Sequence, residues 1–290
     1  MSCLIFFLVP FLVCGGAFGS GRNGKIGFDE NYKVIWGGDH VVSLNQGKGI
    51  QLSMDKVSGS GFGSKMNYGS GFFHLKIKVP DRDSAGVVTA YYLTSQGERH
   101  DEVDFEFLGN REGKPYTLQT NIFAEGKGNK EQRIRLWFDP SADFHDYRIL
   151  WNPHQLVFYV DNIPIRVYKN KSNVGVAYPT KAMQIEATLW DGDSWATDGG
   201  KAKTNWTFAP FKAYLQGFDI NGCHLQSSTT HNNNFACASD KFWWNKQQFW
   251  QLSPTQQVAY HNVKTKYLTY DYCSDKTRFP VPPLECSYNY

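Results

Sequence analysis

Beyond its first twenty residues the chain has no apolar run long enough to cross a bilayer, no run of basic residues and no Cys-x-x-Cys spacing. The first absence excludes a helical membrane anchor in the mature chain. The second, with Lys+Arg 30 against Asp+Glu 27 and a formal net charge of +3, gives nucleic-acid binding no support. The third argues against a thiolate metal or redox centre. The segment SGSGFGS, Ser58 to Ser64, is glycine-rich, but it lacks the Lys-Ser/Thr ending and the following helix of a phosphate loop, so it reads as a turn. No pattern asks for a cofactor or a metal.

The opening stretch MSCLIFFLVPFLVCGGAFGS is apolar, is too short to span a bilayer and ends in small residues. It lacks a basic start apart from the terminal amine. Residues 1–20 therefore read as a secretory leader cleaved near Gly19 or Gly21, which predicts an exported, extracellular protein. Cys3 and Cys14 leave with it, and Cys223, Cys237, Cys273 and Cys286 remain. An even number in an exported chain argues for two disulfides, with three pairings open.

Aromatic residues make up 16% of the chain. Rings serve strand cores and sugar-stacking surfaces alike, and the core takes the larger share. Short alternating segments dominate: Phe73, Leu75, Ile77 and Val79 against His74, Lys76 and Lys78 read as a half-buried strand. Val87 to Leu93 is an apolar strand predicted to form a hairpin with the segment after it. A helix is expected near Pro254 to His261, with Ser253 as N-cap and Pro254 at its first position. A chain of 290 residues suits one all-β domain.

The most informative stretch is HDEVDFEFLGN, His100 to Asn110. Glu102, Asp104 and Glu106 alternate with Val103, Phe105 and Phe107, so a strand puts the carboxyls on one face and the apolar groups on the other. Asp and Glu are depleted in strands, and like charges on one face repel. The same face, taken alone, also fits a solvated strand or a calcium site. Two glutamates facing one sugar bond suit retaining glycosyl transfer: Glu102 is assigned as nucleophile, Glu106 as acid and then base, and Asp104 as the helper between them. Residues i and i+4 lie roughly 13 Å apart along a strand, against about 5–5.5 Å between the carboxyls of retaining enzymes, so long side chains must lean inward. A useful charge split has a protonated Asp104 donating to an ionised Glu102, with Glu106 kept protonated by its like-charged neighbours. Gln119 and Asn121 share one face of the next strand, where amides can meet sugar hydroxyls. His145, His154 and Asp161 read as structural.

HDEVDFEFLGN, PYTLQTN (Pro115 to Asn121), EQR (Glu131 to Arg133), LWDGDSWATDGG (Leu189 to Gly200) and YDYCSDKTRFPVPPLEC (Tyr270 to Cys286) together resemble the plant xyloglucan endotransglucosylase/hydrolases of glycoside hydrolase family 16. The resemblance covers nearly all the chain after the leader. It implies a concanavalin-like jelly-roll sandwich of two curved antiparallel sheets, with residues 21–220 as the catalytic domain. Residues 221–290 would form a short disulfide-bonded extension, containing a helix, packed on the same domain. It implies the pairings Cys223–Cys237 and Cys273–Cys286. It also implies glycan contacts at Gln119, Thr120 and Asn121, at Asn129, Lys130, Glu131 and Arg133 on the donor side, at Trp195, Ala196 and Gly200 around the cleft, and at Arg278 on the acceptor side. Many relatives have Arg where this chain has Lys130.

The substrates implied are xyloglucan donor and acceptor chains, acted on by a monomer in the cell wall and apoplast. Members that mainly hydrolyse carry an insertion in the loop after Leu189 and read DIEF where this chain reads DFEF. The short loop here therefore favours transfer to sugar over transfer to water. The rivals are a strict xyloglucanase or mixed-linkage endo-β-glucanase, and a non-catalytic wall-binding lectin. Two N-glycosylation sequons remain, at Asn170 and Asn205, with Asn170 expected to be the more accessible. The position common in relatives, Asn110, is not a sequon here.

Overall fold

The computed structural model describes residues 26–225 and 236–288. The leader and the 226–235 part of the polar insert lie outside them. Among the described residues the strands are β1 (Tyr32–Trp36), β2 (Val41–Leu44), β3 (Gly49–Met54), β4 (Ser60–Lys78), β5 (Val87–Thr94), β6 (Glu102–Leu108), β7 (Thr117–Phe123) and β8 (Gln132–Arg135). They continue as β9 (His145–Trp151), β10 (Gln155–Val160), β11 (Ile163–Lys169), β12 (Met183–Asp191), β13 (Phe211–Gln216), β14 (Asn221–Leu225) and β15 (Leu268–Asp271). A single turn, α1 (Phe28–Asn31), opens the described fold, and α2 (Pro254–Lys266) is its long helix.

The strands form two antiparallel sheets that share β4. The first half of β4 pairs with β1 and β12, and that sheet continues through β5, β6, β7 and β8 to β15. The second half pairs with β9 and β13, leading to β10 and β11 on one side and to β3 and β2 on the other. Nineteen residues in one strand thus hinge the two layers. The expected turn at SGSGFGS is corrected here: Ser60 to Ser64 are strand, because their backbone is paired on both sides by β1 and β12.

The apolar face of the acidic strand is what joins the layers. Val103, Phe105 and Phe107 are fully buried. Phe105 meets Phe158 edge-on at 5.1 Å, and Phe107 meets Tyr147 at 4.7 Å, so β6 of one sheet locks onto β9 and β10 of the other. Burying each such ring contributes about 2–3 kcal/mol. Phe73, Leu75, Ile77 and Val79 fill the same core. With one face of β6 committed to the interior, its carboxyls are forced outward.

The remainder of the chain clamps this sheet from one end. β15 pairs with β8, and the Tyr272 amide donates to the Glu131 carbonyl at 3.1 Å. Disulfides link Cys223 to Cys237 and Cys273 to Cys286, the pairing the resemblance implied. In α2, the Gln256 amide donates to Ser253 Oγ while the Ser253 amide donates back to the Gln256 side chain, a capping box at the predicted start. The helix runs five residues past the expected His261. His145 pairs with Asp161 at 3.0 Å and stacks on Phe138, and His154 stacks on Trp250 at 4.0 Å, which accounts for all three as structural.

Candidate active site

The site begins one residue before the acidic strand. Asp101 is fully buried, and its two oxygens accept from the amides of Glu125 at 2.8 Å and of Thr180 and Lys181 at 2.7 and 2.9 Å. This carboxylate ties two chain segments, at Glu125 and at Thr180–Lys181, to the start of β6, which fixes where Glu102 begins. On β6 itself Glu102, Asp104 and Glu106 face outward, opposite Thr94, Tyr92 and Ala90 of β5 and opposite Phe123, Asn121 and Gln119 of β7.

The three carboxyls differ in surroundings and hence in charge. Asp104 is buried, and burial followed by the charges of Glu102 and Glu106 pushes its carboxyl far above the usual range. It is hydrogen-bonded to Glu102, and its Oδ1 has no protein partner. Burial also raises Glu102, but a hydrogen bond with Thr94 works the other way. Burial lifts Glu106 to about 7, against the pull of Gln119, whose Nε2 donates to Glu106 Oε2 at 2.7 Å. The resulting order puts the proton on Asp104 first and keeps Glu106 protonated below neutrality. Burial thus raises all three carboxyls, Glu102 included, and at Glu106 desolvation outranks like-charge repulsion as the cause.

The polar row extends toward the C-terminal extension. Gln119 accepts from Arg133 Nε at 2.7 Å, and the Arg133 guanidinium lies 5.3 Å over the ring of Tyr270. Tyr270 faces Arg133 in the β8–β15 register. Arg278 then closes the end: Nη1 donates to Glu131 at 2.6 Å and Nη2 to Asn129 at 2.6 Å. A continuous line of side chains from Glu106 through Gln119, Arg133 and Tyr270 to Arg278 can present hydrogen bonds and one stacking ring to a polysaccharide lying across the strands.

Two family models match, "Glycosyl hydrolases family 16" over residues 28–208 and "Xyloglucan endo-transglycosylase (XET) C-terminus" over residues 238–286. The chain belongs to this family. It is 57% identical over 287 residues to xyloglucan endotransglucosylase/hydrolase protein 2 of Arabidopsis thaliana, covering 99% of this chain and 98% of that one. It is 52% identical over 268 residues to protein 3 of the same plant, covering 92% and 91%. Among solved structures it is similar to a Bacillus licheniformis beta-glucanase, with a TM-score of 0.56 at 21% identity over 70% of this chain and 99% of that one. It is likewise similar to Apo Crh5 transglycosylase, with a TM-score of 0.55 at 22% identity, over 66% and 78%. At such identities the structures speak for the shared jelly-roll fold.

Against the family pattern, several residues carried over from the resemblance sit differently. Thr120 points into the sandwich, not the cleft: it is opposite Phe105, and its carbonyl and hydroxyl accept from buried Arg166 at 2.8 and 3.0 Å. Lys130 also turns inward, where its Nζ donates to the carbonyl of Lys127 at 2.8 Å and burial lowers its pKa. Asn121 stands at the cleft, but its Oδ1 is occupied by the amides of Ile122 and Lys130 at 2.9 and 3.0 Å. Asn129 and Glu131, expected on the donor side, meet Arg278, expected on the acceptor side, so all three line one end. Gln119 holds the predicted place.

The loop after β12 is built as a fixed wall. Trp190 and Trp195 are half-buried with ring centroids 6.0 Å apart, packed on Val88, Ala90 and Leu108. Ala196 is buried in the same cluster, so its side chain supports the wall instead of meeting solvent. Gly200 has a φ of +82°, and a Cβ there would lie 2.0 Å from the Ser194 carbonyl, which makes it a turn requirement. Thr197 pins the loop, accepting from the Gly86 amide at 2.9 Å and donating to the Gly109 carbonyl at 2.5 Å.

The sequons are reversed in accessibility. Asn205 is exposed, its Oδ1 accepting from Thr207 Oγ1 at 2.8 Å, whereas Asn170 is half-buried with its Nδ2 donating to the Pro153 carbonyl at 2.7 Å. Asp101, Thr197, Tyr270 and Arg166 are site or supporting residues that sequence reasoning missed, and Arg133, which the resemblance implied on the donor side, stands instead between Gln119 and Tyr270. Arg166 is 2% exposed and donates to the carbonyls of both Thr120 and Lys130, so it fastens β7 to the segment before β8 from within.

Proposed function

We propose that this protein cleaves the β-1,4-glucan backbone of xyloglucan with retention and hands the cut chain to a second xyloglucan chain. Supporting this reading is the separation of three neighbouring carboxyls into a neutral helper, an ionisable nucleophile and an acid poised at about 7. Glu102 attacks the anomeric carbon while the bond to the leaving oxygen breaks and Glu106 gives that oxygen its proton. An acceptor hydroxyl then attacks the same carbon, Glu106 takes the proton, and the Glu102 ester bond breaks. Asp104, protonated, donates to Glu102 throughout.

The acceptor lies along Gln119, Arg133, Tyr270 and Arg278, with the segment after residue 220 completing that end as an extension of the 21–220 catalytic domain. Transfer outruns hydrolysis when this surface holds the acceptor hydroxyl in place of water. The short, pinned loop at 191–200 leaves the cleft open for it. Phe105, by contrast, is stacked on Tyr91 in the core, so the DFEF reading bears on the outcome only through packing. The same proposal has the protein acting as a monomer, secreted to the cell wall and apoplast, with Asn205 as the glycosylated sequon. No helix among the described residues is long and apolar enough to cross a membrane.

The test is xyloglucan incubated with and without a fluorescent xyloglucan oligosaccharide, followed by size analysis. Label entering polymer supports transfer. Reducing ends without label incorporation would assign strict hydrolysis, and binding without turnover would assign a lectin.

A further inference from the structure

The cross-strand row that contains Glu106 also runs the other way. Glu106 is opposite Ala90, Ala90 opposite Thr188, Thr188 opposite Gly61, and Gly61 opposite Trp36 at the sheet's far edge. A β-bulge between Val34 and Trp36 makes Ile35 the extra residue, and bulges re-aim side chains. Here both Ile35 and Trp36 face the cleft: Ile35 lies against Gly63 and Trp36 against Gly59 and Gly61. A Cβ at Gly61 would sit 2.4 Å from the indole Nε1 and 2.8 Å from Thr188, so only glycine lets the ring lie down on the sheet beside β12. The two side chains remain 39% and 37% exposed, an apolar patch at the end of a row whose middle holds the catalytic carboxyls.

We propose that Ile35 and Trp36 form a stacking platform for the donor chain. This rests on the function proposed above. Four strand spacings of about 4.8 Å separate Trp36 from Glu106, roughly 19 Å. A β-1,4-linked backbone lying across the strands reaches that distance with about four rings on the cleaved side. The flat C–H face of a pyranose then covers the indole, as apolar faces cover aromatic rings elsewhere. Together with Tyr270 at the opposite end of the row, Trp36 makes the cleft a track with one ring at each end and the acids between. Its ligand class is a run of equatorially linked glucopyranosyl units on the non-reducing side of the scissile bond.

The experiment compares unmodified protein, Trp36→Ala and Trp36→Phe on polymeric xyloglucan and on xyloglucan oligosaccharide donors of graded length, with acceptor fixed. Trp36→Ala lowers kcat/KM about tenfold on polymer, Trp36→Phe restores most of it, and the deficit shrinks as the donor falls below four backbone glucoses. Calorimetric binding of xyloglucan oligosaccharide to the Glu102→Ala background reads the same platform without turnover, and adding Trp36→Ala weakens it by a similar factor. A deficit of equal size at every donor length, or none on polymer, overturns the platform while leaving the function intact. Absence of turnover and of binding by the unmodified chain overturns the function and the platform together.

Discussion

Asp104 is the group on which the proposed charge division turns, and replacing it separates its two attributes, hydrogen bonding and charge. Burial first, and then its two glutamate neighbours, push its carboxyl far above the ordinary range, so at the pH where Glu102 is ionised Asp104 is a neutral donor. Asn copies that donor, while Ala removes it. A hydrogen bond to a charged group contributes about 1.5–3 kcal/mol, so Asp104→Ala lowers kcat by about 10- to 150-fold if the bond strengthens as Glu102 is released. Asp104→Asn loses less than about tenfold on the same scale. Initial rates of label transfer across pH 4 to 9 check both. The alkaline limb in Asp104→Asn also stays near the wild-type position at about 7, because a neutral Asp104 adds no charge beside Glu106. Equal, large losses for Asn and Ala would refute a neutral Asp104 and require a carboxylate there.

Two further outcomes follow from titration. Glu106 has a folded value of about 7 against an ordinary 4.5, so the native state binds more protons than the unfolded chain in that window and stability falls as pH rises through it. Glu106→Gln therefore abolishes turnover yet stabilises the fold by about 3 kcal/mol at pH 8, with no gain below about pH 4, as read by chemical denaturation. At His74 burial works against the charge, but Asp146 and Asp219 at 3.2 Å each outweigh it and raise the ring to about 9. Its stabilisation is complete below about pH 6.5 and is lost as pH climbs through 9. His74→Gln thus costs about 3 kcal/mol at pH 6 and much less at pH 10.

Where one physical rule decides an outcome, the sequence carries it. The alternation of Glu102, Asp104 and Glu106 with Val103, Phe105 and Phe107 needs only the strand period, and the same rule pairs Gln119 with the acidic face. It also turns Thr120 away, a consequence that was equally legible and overlooked. Ser253 and Gln256 announce their capping box by spacing alone. By contrast, SGSGFGS looks like a turn because glycine is read for its flexibility, whereas here Gly61 lies in a paired strand and both Gly59 and Gly61 are small because Trp36 lies on them. Nothing local reveals that contact. Arg166 is a cation in the interior, held there by the carbonyls of Thr120 and Lys130, both distant in sequence, and Asn170 is shielded by a bond to Pro153 across the β10–β11 hairpin. Such positions depend on tertiary neighbours, which composition and periodicity do not encode.

In the proposed reaction Glu102 becomes covalently bonded to the sugar. Donor xyloglucan oligosaccharide, mixed with the protein in the absence of acceptor and quenched in acid, leaves a glycosyl adduct that peptic digestion and mass spectrometry place on a residue. The expected product is a sugar-bearing peptide modified at Glu102. An adduct on Glu106, or steady turnover with no adduct on either glutamate, would contradict that reaction.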